Sequence, residues 1–334
     1  MKTKDTLLLS VSDKDVQAFG GVSILLVTPL DHRGRLCEED LVSLLKFVGT
    51  PRVEGVSIGG VTVCGEMGEG FCLSLEERSQ VIRLAKQTLG KDKSVIAALF
   101  ALSLREALEQ AESARRSGAD ALLVAPVAPF LYSEKVLQRF FQSIGDTVQL
   151  PMIAYLNKMF KQDLPPVTVI EAVYEISGVI GIKDSTGSSD FMNLLIERRP
   201  AGKLMIQTVS RLALEGVLAG ADGLTVGTSN LIPESVLEVW VFGRKKDSES
   251  QLKAKAAQER LNQAALFYQV ATAQEGDSKD WVVVKEALAQ MGIIREEAKY
   301  PSPPYEVLSL EHQKKISHSL SELVGRSRER VLRP

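Results

Sequence analysis

Residues 179–187 read Val-Ile-Gly-Ile-Lys-Asp-Ser-Thr-Gly, and this stretch is the most informative part of the chain. Its apolar start predicts a short buried strand, and Gly181 within it indicates close packing against a neighbour. Lys183 stands where this strand gives way to a loop of small residues. A lysine on an apolar wall loses hydration, so its pKa falls and its neutral amine can attack a carbonyl to form a Schiff base. The alternative is a lysine that extends from the strand end into solvent.

Similar apolar runs occur on both sides of this strand and alternate with longer amphipathic stretches. Eight such repeats of about 25–30 residues predict an α/β fold, a (β/α)8 TIM barrel. A doubly wound sheet is disfavoured because the first strand ends in Val-Thr-Pro-Leu (residues 27–30), without a glycine-rich phosphate fingerprint. The predicted strands are Ser23–Thr28, Gly55–Val63, Ser94–Phe100, Ala121–Ala125, Met152–Leu156, Val179–Asp184, Leu204–Val209 and Gly223–Gly227. The predicted helices include Glu38–Phe47, Leu75–Leu89, Ser103–Ser117, Ser133–Ile144 and Val167–Ile176.

The sequence pattern divides the chain into four predicted parts. Residues 1–20 are an N-terminal segment, residues 21–246 form the barrel, residues 247–324 form a C-terminal helical extension, and residues 325–334 are a basic tail. Within the extension, helical periodicity predicts helices over Asp247–Ala273, Trp281–Gln290 and Leu308–Val324.

Composition excludes several classes of protein. The 334 residues include 40 basic and 42 acidic side chains, so no overall charge attracts the chain to nucleic acid or to a membrane surface. No signal peptide or membrane span is predicted, and a reducing cytoplasm is the expected location. We expect neither a disulfide framework nor a metal site, because the few cysteines and histidines lack the necessary spacing. These residues are Cys37, Cys64, Cys72, His32, His312 and His318.

From about Gly21 to Leu323, the chain resembles the dihydrodipicolinate synthase / N-acetylneuraminate lyase family of class I aldolases. The resemblance implies a (β/α)8 barrel with a helical extension, usually a homotetramer, that uses no metal or organic cofactor. The motifs that carry it are Val27-Thr28-Pro29-Leu30, Gly65-Glu66-Met67-Gly68-Glu69, Tyr155 at the end of the fifth strand, Gly181-Ile182-Lys183-Asp184, Gly220-Ala221-Asp222-Gly223 and Val284-Lys285-Glu286-Ala287.

By this resemblance, Lys183 is the Schiff-base lysine, which condenses with the ketone of a 2-oxo acid such as pyruvate. Tyr155 matches the catalytic tyrosine, which transfers protons during imine formation, although a core tyrosine is the alternative. A Gly-x-x-Gly turn can present backbone amides to a carboxylate, although glycines often only permit a turn. The expected substrate-binding residues are Gly65, Glu66, Met67, Gly68, Asn157, Thr225 and Gly227.

The chain departs from the family pattern in the turn after the second strand. Typical members carry two hydroxyl residues there, and this chain has Glu66 and Met67. The Glu66 carboxylate would repel a substrate carboxylate unless it is protonated or turned away. It could instead bind a hydroxyl-rich or cationic group of the substrate. Met67 cannot transfer a proton.

Two further departures concern loops. The loop after the fourth strand has no hydroxyl until Tyr132. Near the position where the synthase branch carries an arginine, the chain has Lys158 and Lys161, which lack the bidentate geometry of an arginine. These departures predict that the chain is not an authentic dihydrodipicolinate synthase.

Three functions remain open at this point. The first is a Schiff-base lyase or aldolase that acts on a small 2-oxo acid, as a homo-oligomer (tetramer or dimer). The second is a non-catalytic or repurposed barrel that serves in binding or assembly. The third is a phosphate-binding barrel, but the glycines at 220 and 223 precede the eighth strand, at the wrong end of the barrel for a ligand.

Overall fold

A closed barrel of eight parallel strands forms the centre of the molecule. The computed structural model describes residues 18–125, 133–156, 171–272 and 280–324. The strands pair in chain order, and β8 pairs with β1, which confirms the predicted (β/α)8 fold. They are β1 (Gly21–Leu25), β2 (Gly60–Val63), β3 (Ser94–Leu99), β4 (Ala121–Val124), β5 (Met152–Leu156), β6 (Val179–Asp184), β7 (Leu204–Gln207) and β8 (Gly223–Leu224).

Helices follow the strands, and three further helices form the C-terminal extension. Capping residues predicted from the sequence mark the first residue of two of these helices. Ser74 and Glu77 form the expected capping box, and Ser133 caps the helix that begins at Glu134. The helices between the strands are α1 (Glu38–Gly49), α2 (Leu75–Leu89), α3 (Leu104–Arg116), α4 (Glu134–Val148), α5 (Ser189–Arg198) and α6 (Ala213–Ala219), and α7 (Pro233–Gly243) follows β8. The extension contains α8 (Ser248–Thr272), α9 (Asp280–Gln290) and α10 (Leu310–Val324).

The apolar core has two layers, because successive strand residues face opposite sides of the barrel wall. An inner cluster fills the barrel and includes Ile96, Ile153 and Ile206, with Phe19 packed against them from the chain segment before β1. A larger outer cluster joins the other strand face to the buried helix faces. Gly181 is required by this packing, since a Cβ there would lie 2.6 Å from the Cβ of Leu204.

Some predicted strand limits were wrong, for local reasons. The strand predicted to start at Gly55 begins at Gly60. The backbones of Val53 and Val56 exchange two hydrogen bonds across a tight turn, in which Gly55 has a φ of 80°, and this turn ends the extended conformation before Gly60. The strand predicted to reach Gly227 ends at Leu224, and Gly227 opens a 3-10 turn. The start of the predicted helix Val167–Ile176 lies outside the described residues, and residues 171–174 are helical.

One buried ion pair connects the extension to the barrel. Lys285 of α9 pairs with Glu69, in the turn after β2, and neither side chain has any exposed surface. Lys285 Nζ also donates to the Tyr300 carbonyl oxygen at 2.8 Å, and the Ser302 amide donates to Glu69 Oε2 at 2.6 Å. Because each charge would be costly to bury alone, the two segments depend on each other.

The described residues contain neither a candidate membrane span nor a candidate metal cluster. Over the residues that the structure describes, no helix combines the length and apolarity needed to cross a membrane. The same residues contain no group of three or more His, Cys, Asp or Glu side chains arranged to hold a metal ion.

The Glu69–Lys285 pair predicts non-additive effects on stability. Lys285→Met leaves the Glu69 carboxylate buried without its cation, so we expect a loss of about 3–5 kcal/mol in the free energy of unfolding, measured with urea. The double variant Glu69→Gln/Lys285→Met removes both charges and should recover part of that loss. Lys253→Met, at an exposed pair with Glu249, is the control and should change little. Equal losses in the single and double variants would contradict the coupling.

Candidate active site

Lys183 lies at the end of β6 with its side chain inside the protein. Only 2% of its surface is exposed, so it does not extend into solvent. Its Nζ has no hydrogen-bond partner among the described residues. Burial lowers the pKa of Lys183 to about 7, while the negative charges of Glu66 and Asp184 oppose the shift. A substantial fraction of this amine is therefore neutral and nucleophilic near neutral pH.

Tyr155 is the nearest aromatic neighbour of this amine. It lies directly opposite Lys183 in the register of β5 and β6, and the Lys183 Nζ stands 3.7 Å from the centre of the Tyr155 ring. The Tyr155 hydroxyl donates a hydrogen bond to Glu66 Oε2 at 3.3 Å. Three groups that are far apart in the sequence, on β5, β6 and the turn after β2, thus meet at one end of the barrel.

The turn that carries Glu66 is held tightly against the barrel rim. Cys64 and Glu69 have positive φ angles of 55° and 51°, which non-glycine residues rarely adopt. A Cβ at Gly70 would lie 1.8 Å from the Cys64 carbonyl oxygen, so only glycine fits there. Thr28 Oγ1 donates to the Gly68 carbonyl oxygen at 2.7 Å. This packing fixes the direction in which the Glu66 side chain leaves the backbone.

The same turn leaves backbone donors available. The amides of Glu69 and Gly70 donate to the carbonyl oxygens of Glu66 and Gly65. Within the described part of the chain, the amides of Met67 and Gly68 donate no hydrogen bond. The side chain of Met67 is buried in the outer apolar cluster, so its amide is the group that it can offer to a ligand.

A small cavity lies inside the barrel beside Lys183. Its volume is about 10 Å³, close to the space that one water molecule requires. Ser23, Thr62 and Thr225 contribute to its lining. Thr225 is almost fully buried, and among the described residues its Oγ1 has no hydrogen-bond partner. The cavity therefore brings the predicted residue Thr225 next to Lys183.

Other predicted residues are placed differently. Gly227 opens the 3-10 turn Gly227–Asn230, and its carbonyl oxygen accepts a hydrogen bond from Asn230 Nδ2 at 3.0 Å. Asn157 lies outside the described residues, as do Tyr132, Lys158 and Lys161.

Sequence reasoning missed three groups around Lys183. Asp184 is fully buried, and it accepts a hydrogen bond from the Thr186 amide at 2.9 Å, while its charge acts on Lys183. Ser23 and Thr62 line the cavity, and their hydroxyl oxygens are 3.4 Å apart. A signal was present, since a single hydroxyl residue in the middle of an apolar strand of a closed barrel indicates a polar spot in its wall.

The glycine-rich segment before β8 has a structural role. Gly220 ends α6 in a left-handed conformation. Asp222 accepts a hydrogen bond from the Met205 amide at 2.8 Å and pairs with Arg199. Because the strands are parallel, this segment lies at the opposite end of the barrel from Lys183. This geometry disfavours the phosphate-binding alternative.

The fold is a (β/α)8 barrel, and the family match and the named relatives indicate an enzyme of the lyase or synthase type. The chain belongs to the dihydrodipicolinate synthetase family, whose family profile matches residues 18–323. The 4-hydroxy-tetrahydrodipicolinate synthase of Pseudomonas aeruginosa is 31% identical over 286 residues, which cover 84% of this chain and 91% of that protein. The protein of the same name from Nitrosospira multiformis is 28% identical over 311 residues, covering 92% of this chain and 97% of that one.

Solved structures show the same fold. YagE, an Escherichia coli prophage protein of the dihydrodipicolinic acid synthase family, was solved in complex with pyruvate and matches with a TM-score of 0.80 and 24% identity. That match covers 91% of this chain and 98% of YagE. The chloride-inhibited dihydrodipicolinate synthase of Acinetobacter baumannii, also complexed with pyruvate, matches with a TM-score of 0.76 and 27% identity, over 91% of this chain and 98% of that one.

Because Lys183 is buried with a lowered pKa, we expect it to reduce the free energy of unfolding by an amount that depends on pH. The pKa of Lys183 is about 7 in the folded chain, against 10.5 for a lysine exposed to water. Below pH 7 the lysine is protonated in both the folded and the unfolded chain, and the full cost of burying the charge applies. Between these two pKa values the unfolded chain binds more protons, so stability rises with pH. Lys183→Met lacks this dependence.

We therefore expect Lys183→Met to be more stable than the unmodified chain at pH 6, by on the order of 3 kcal/mol in the free energy of unfolding. The advantage should shrink as the pH rises above 7. Urea unfolding at pH 6 and pH 9 measures both differences, with the exposed Lys255→Met as the control. An equal effect of Lys183→Met at the two pH values would show that the lysine is not deprotonated over this range.

Proposed function

We propose that this chain is a Schiff-base-forming lyase or aldolase, which makes or breaks a carbon–carbon bond of a 2-oxo acid through an imine on Lys183. The observation that carries the proposal is the Lys183 amine itself. It is buried, it has a pKa of about 7, and it stands against the ring of Tyr155. A buried amine that is neutral at physiological pH suits nucleophilic attack on a ketone.

The chemistry follows from the properties of an imine. The neutral amine of Lys183 adds to the ketone carbon, and loss of water from the resulting carbinolamine gives a protonated imine. This cation withdraws electrons, so a carbon–carbon bond one atom away can break or form. The addition and the loss of water both need proton transfer. We assign that role to Tyr155 because its ring lies against the amine and its hydroxyl is hydrogen-bonded to Glu66.

The expected substrate carries a carboxylate next to its ketone. We propose that the amides of Met67 and Gly68 bind this carboxylate, and that Gly65 shapes the turn that presents them. Thr225, Gly227 and Asn157 remain proposed contacts of the substrate. The pyruvate complexes of YagE and of the Acinetobacter baumannii synthase support a pyruvate-type substrate.

We also propose that the chain is not an authentic dihydrodipicolinate synthase. The turn after β2 carries the carboxylate of Glu66 and the buried thioether of Met67, where the family pattern has two hydroxyl groups. This difference places a negative charge near the Lys183 amine. Relatives at about 30% identity carry the synthase name, and our proposal for this chain differs from that name because of its turn.

Covalent trapping tests the proposed function. Borohydride with pyruvate, or with another 2-oxo acid, should leave a reduced adduct on Lys183 that peptide mass spectrometry locates. The yield should increase as the pH rises through about 7, since the attacking form is the neutral amine. Lys183→Met should give no adduct. Lys203→Met removes another partly buried lysine, whose pKa is also lowered by burial, and should trap as well as the unmodified chain.

Absence of an adduct on Lys183 would contradict the proposal. If Lys183 stays unmodified across a panel of 2-oxo acids while the protein is folded, the proposal is wrong. The alternative of a non-catalytic barrel for binding or assembly would then be favoured.

We propose a homo-oligomer, tetramer or dimer, in the cytoplasm. The three free thiols support the cytoplasmic location. A partly apolar surface supports the assembly. A groove of about 590 Å³ between α3 and α4 is lined by the exposed apolar residues Leu102, Leu104 and Val136 together with polar and charged side chains, and Leu102 is 71% exposed.

Light scattering tests the assembly. The unmodified chain should have a mass of two or four times 36.5 kDa, and Leu102→Asp should lower that mass because it places a charge in the contact. Leu252→Asp, at an exposed leucine of α8, is the control. A monomer of the unmodified chain would overturn the proposal.

A further inference from the structure

Three buried hydroxyl side chains from neighbouring strands form an interior hydroxyl cluster in the barrel. Ser23 belongs to β1, Thr62 belongs to β2, and Thr225 follows the last residue of β8. Because β1 pairs with both β2 and β8, these three positions are adjacent around the barrel. An unsatisfied buried hydroxyl is costly, so such a cluster inside a mostly apolar barrel requires hydrogen-bond partners.

The hydrogen bonds within the interior hydroxyl cluster are incomplete. Ser23 Oγ and Thr62 Oγ1 are 3.4 Å apart, beyond the roughly 3.0 Å within which a hydroxyl bonds well to another oxygen. Thr225 Oγ1 has no hydrogen-bond partner among the described residues. Since a hydroxyl can donate one hydrogen bond and accept two, the cluster keeps unused hydrogen-bonding capacity.

The cavity beside Lys183 is lined by the whole interior hydroxyl cluster. The rest of its lining includes Lys183 itself and apolar side chains such as Ile96, Ile153 and Ile206. Its volume of about 10 Å³ suits one water molecule and nothing larger. A cavity with only apolar walls stays dry, whereas a water molecule is held where several polar groups can bond to it. The hydroxyl cluster and Lys183 supply such groups.

Lys183 is the one charged side chain in the lining of this cavity. Its ammonium carries three donors, yet its Nζ has no hydrogen-bond partner among the described residues. The groups that act on it are the carboxylates of Glu66, from the turn after β2, and Asp184, from β6, and the ring face of Tyr155 on β5. Within the described structure, none of these accepts a hydrogen bond from the amine. An acceptor inside the barrel would therefore stabilise the ammonium form.

We propose that the cavity is a binding site for one water molecule, which accepts a hydrogen bond from Lys183 Nζ and donates its own to the hydroxyls of Ser23 and Thr225. Thr62 completes the site through its contact with Ser23. The water gives the buried ammonium a hydrogen-bond partner on the inner side of the barrel, away from the bulk solvent. The interior hydroxyl cluster thus acts on the protonation of Lys183 through this water, and the binding of the water does not require the proposed reaction.

A crystal structure that resolves ordered water tests the site directly. The unmodified chain should show one water oxygen in the cavity, within about 3.2 Å of both Thr225 Oγ1 and Lys183 Nζ. The double variant Ser23→Ala/Thr225→Val removes two of the three hydroxyls and should lose this water. Ser113→Ala, which removes a buried hydroxyl between α2 and α3, is the matched control and should keep it. An empty cavity in the unmodified chain, or a water that does not reach Lys183 Nζ, overturns the inference.

An NMR titration with isotope-labelled lysine measures the effect on Lys183, whose resonance is assigned by its absence in Lys183→Met. We expect the pKa of Lys183 to fall by on the order of one pH unit in Ser23→Ala/Thr225→Val, because the buried ammonium loses a hydrogen bond. Thr225→Val alone should give a smaller change in the same direction. Thr225→Ser keeps a hydroxyl and should titrate like the unmodified chain, as should Ser113→Ala.

The titration separates an effect on the amine from a purely structural role of the hydroxyls. If the double variant folds and its Lys183 titrates like that of the unmodified chain, the cluster does not act on the amine and the inference is wrong. Neither measurement uses a substrate. A failure to trap a 2-oxo acid on Lys183 would therefore refute the proposed function while leaving the water site to be decided by the structure and the titration.

Discussion

The register between β5 and β6 is the constraint on which the site depends. It sets Tyr155 opposite Lys183 and turns both side chains into the barrel, where the amine is almost fully buried. A slip of one residue would reverse the face on which each side chain lies and would send Lys183 into the outer apolar layer. On its other side, β6 packs closely against β7, because a larger residue at Gly181 would collide with Leu204.

Burial and strain act together at this end of the molecule. The lowered pKa of Lys183 is a cost in stability that the rest of the core must offset, and the positive φ angles at Cys64 and Glu69 add to that cost. Both features belong to the same region, since one gives a buried amine with a lowered pKa and the other fixes the turn that carries Glu66. The two apolar layers of the barrel supply the stability that such a region requires.

Much of this structure could be predicted from the sequence, because barrel strands and amphipathic helices leave periodic patterns. Lys183 could be located for the same reason, as a charged residue at the end of an apolar run. The contact between Glu66 and Tyr155 could not, since it depends on how the turn folds back between Cys64 and Gly70. The limits of β2 and β8 were also missed, because a tight turn at Val53–Val56 and a 3-10 turn at Gly227 interrupt residues with strand propensity. Lys285 follows Trp-Val-Val-Val in α9, the same signal of a buried lysine, but its partner Glu69 is remote in sequence.

The ion pair between Glu69 and Lys285 has a consequence for how the chain matures during synthesis. Lys285 leaves the ribosome more than two hundred residues after Glu69. Strands and helices of the barrel can associate as they emerge, in the order in which they are made. The turn beside Lys183 has no cation for its buried carboxylate until α9 arrives. The turn after β2 therefore completes its buried ion pair only after α9 has been synthesised and has docked on the barrel.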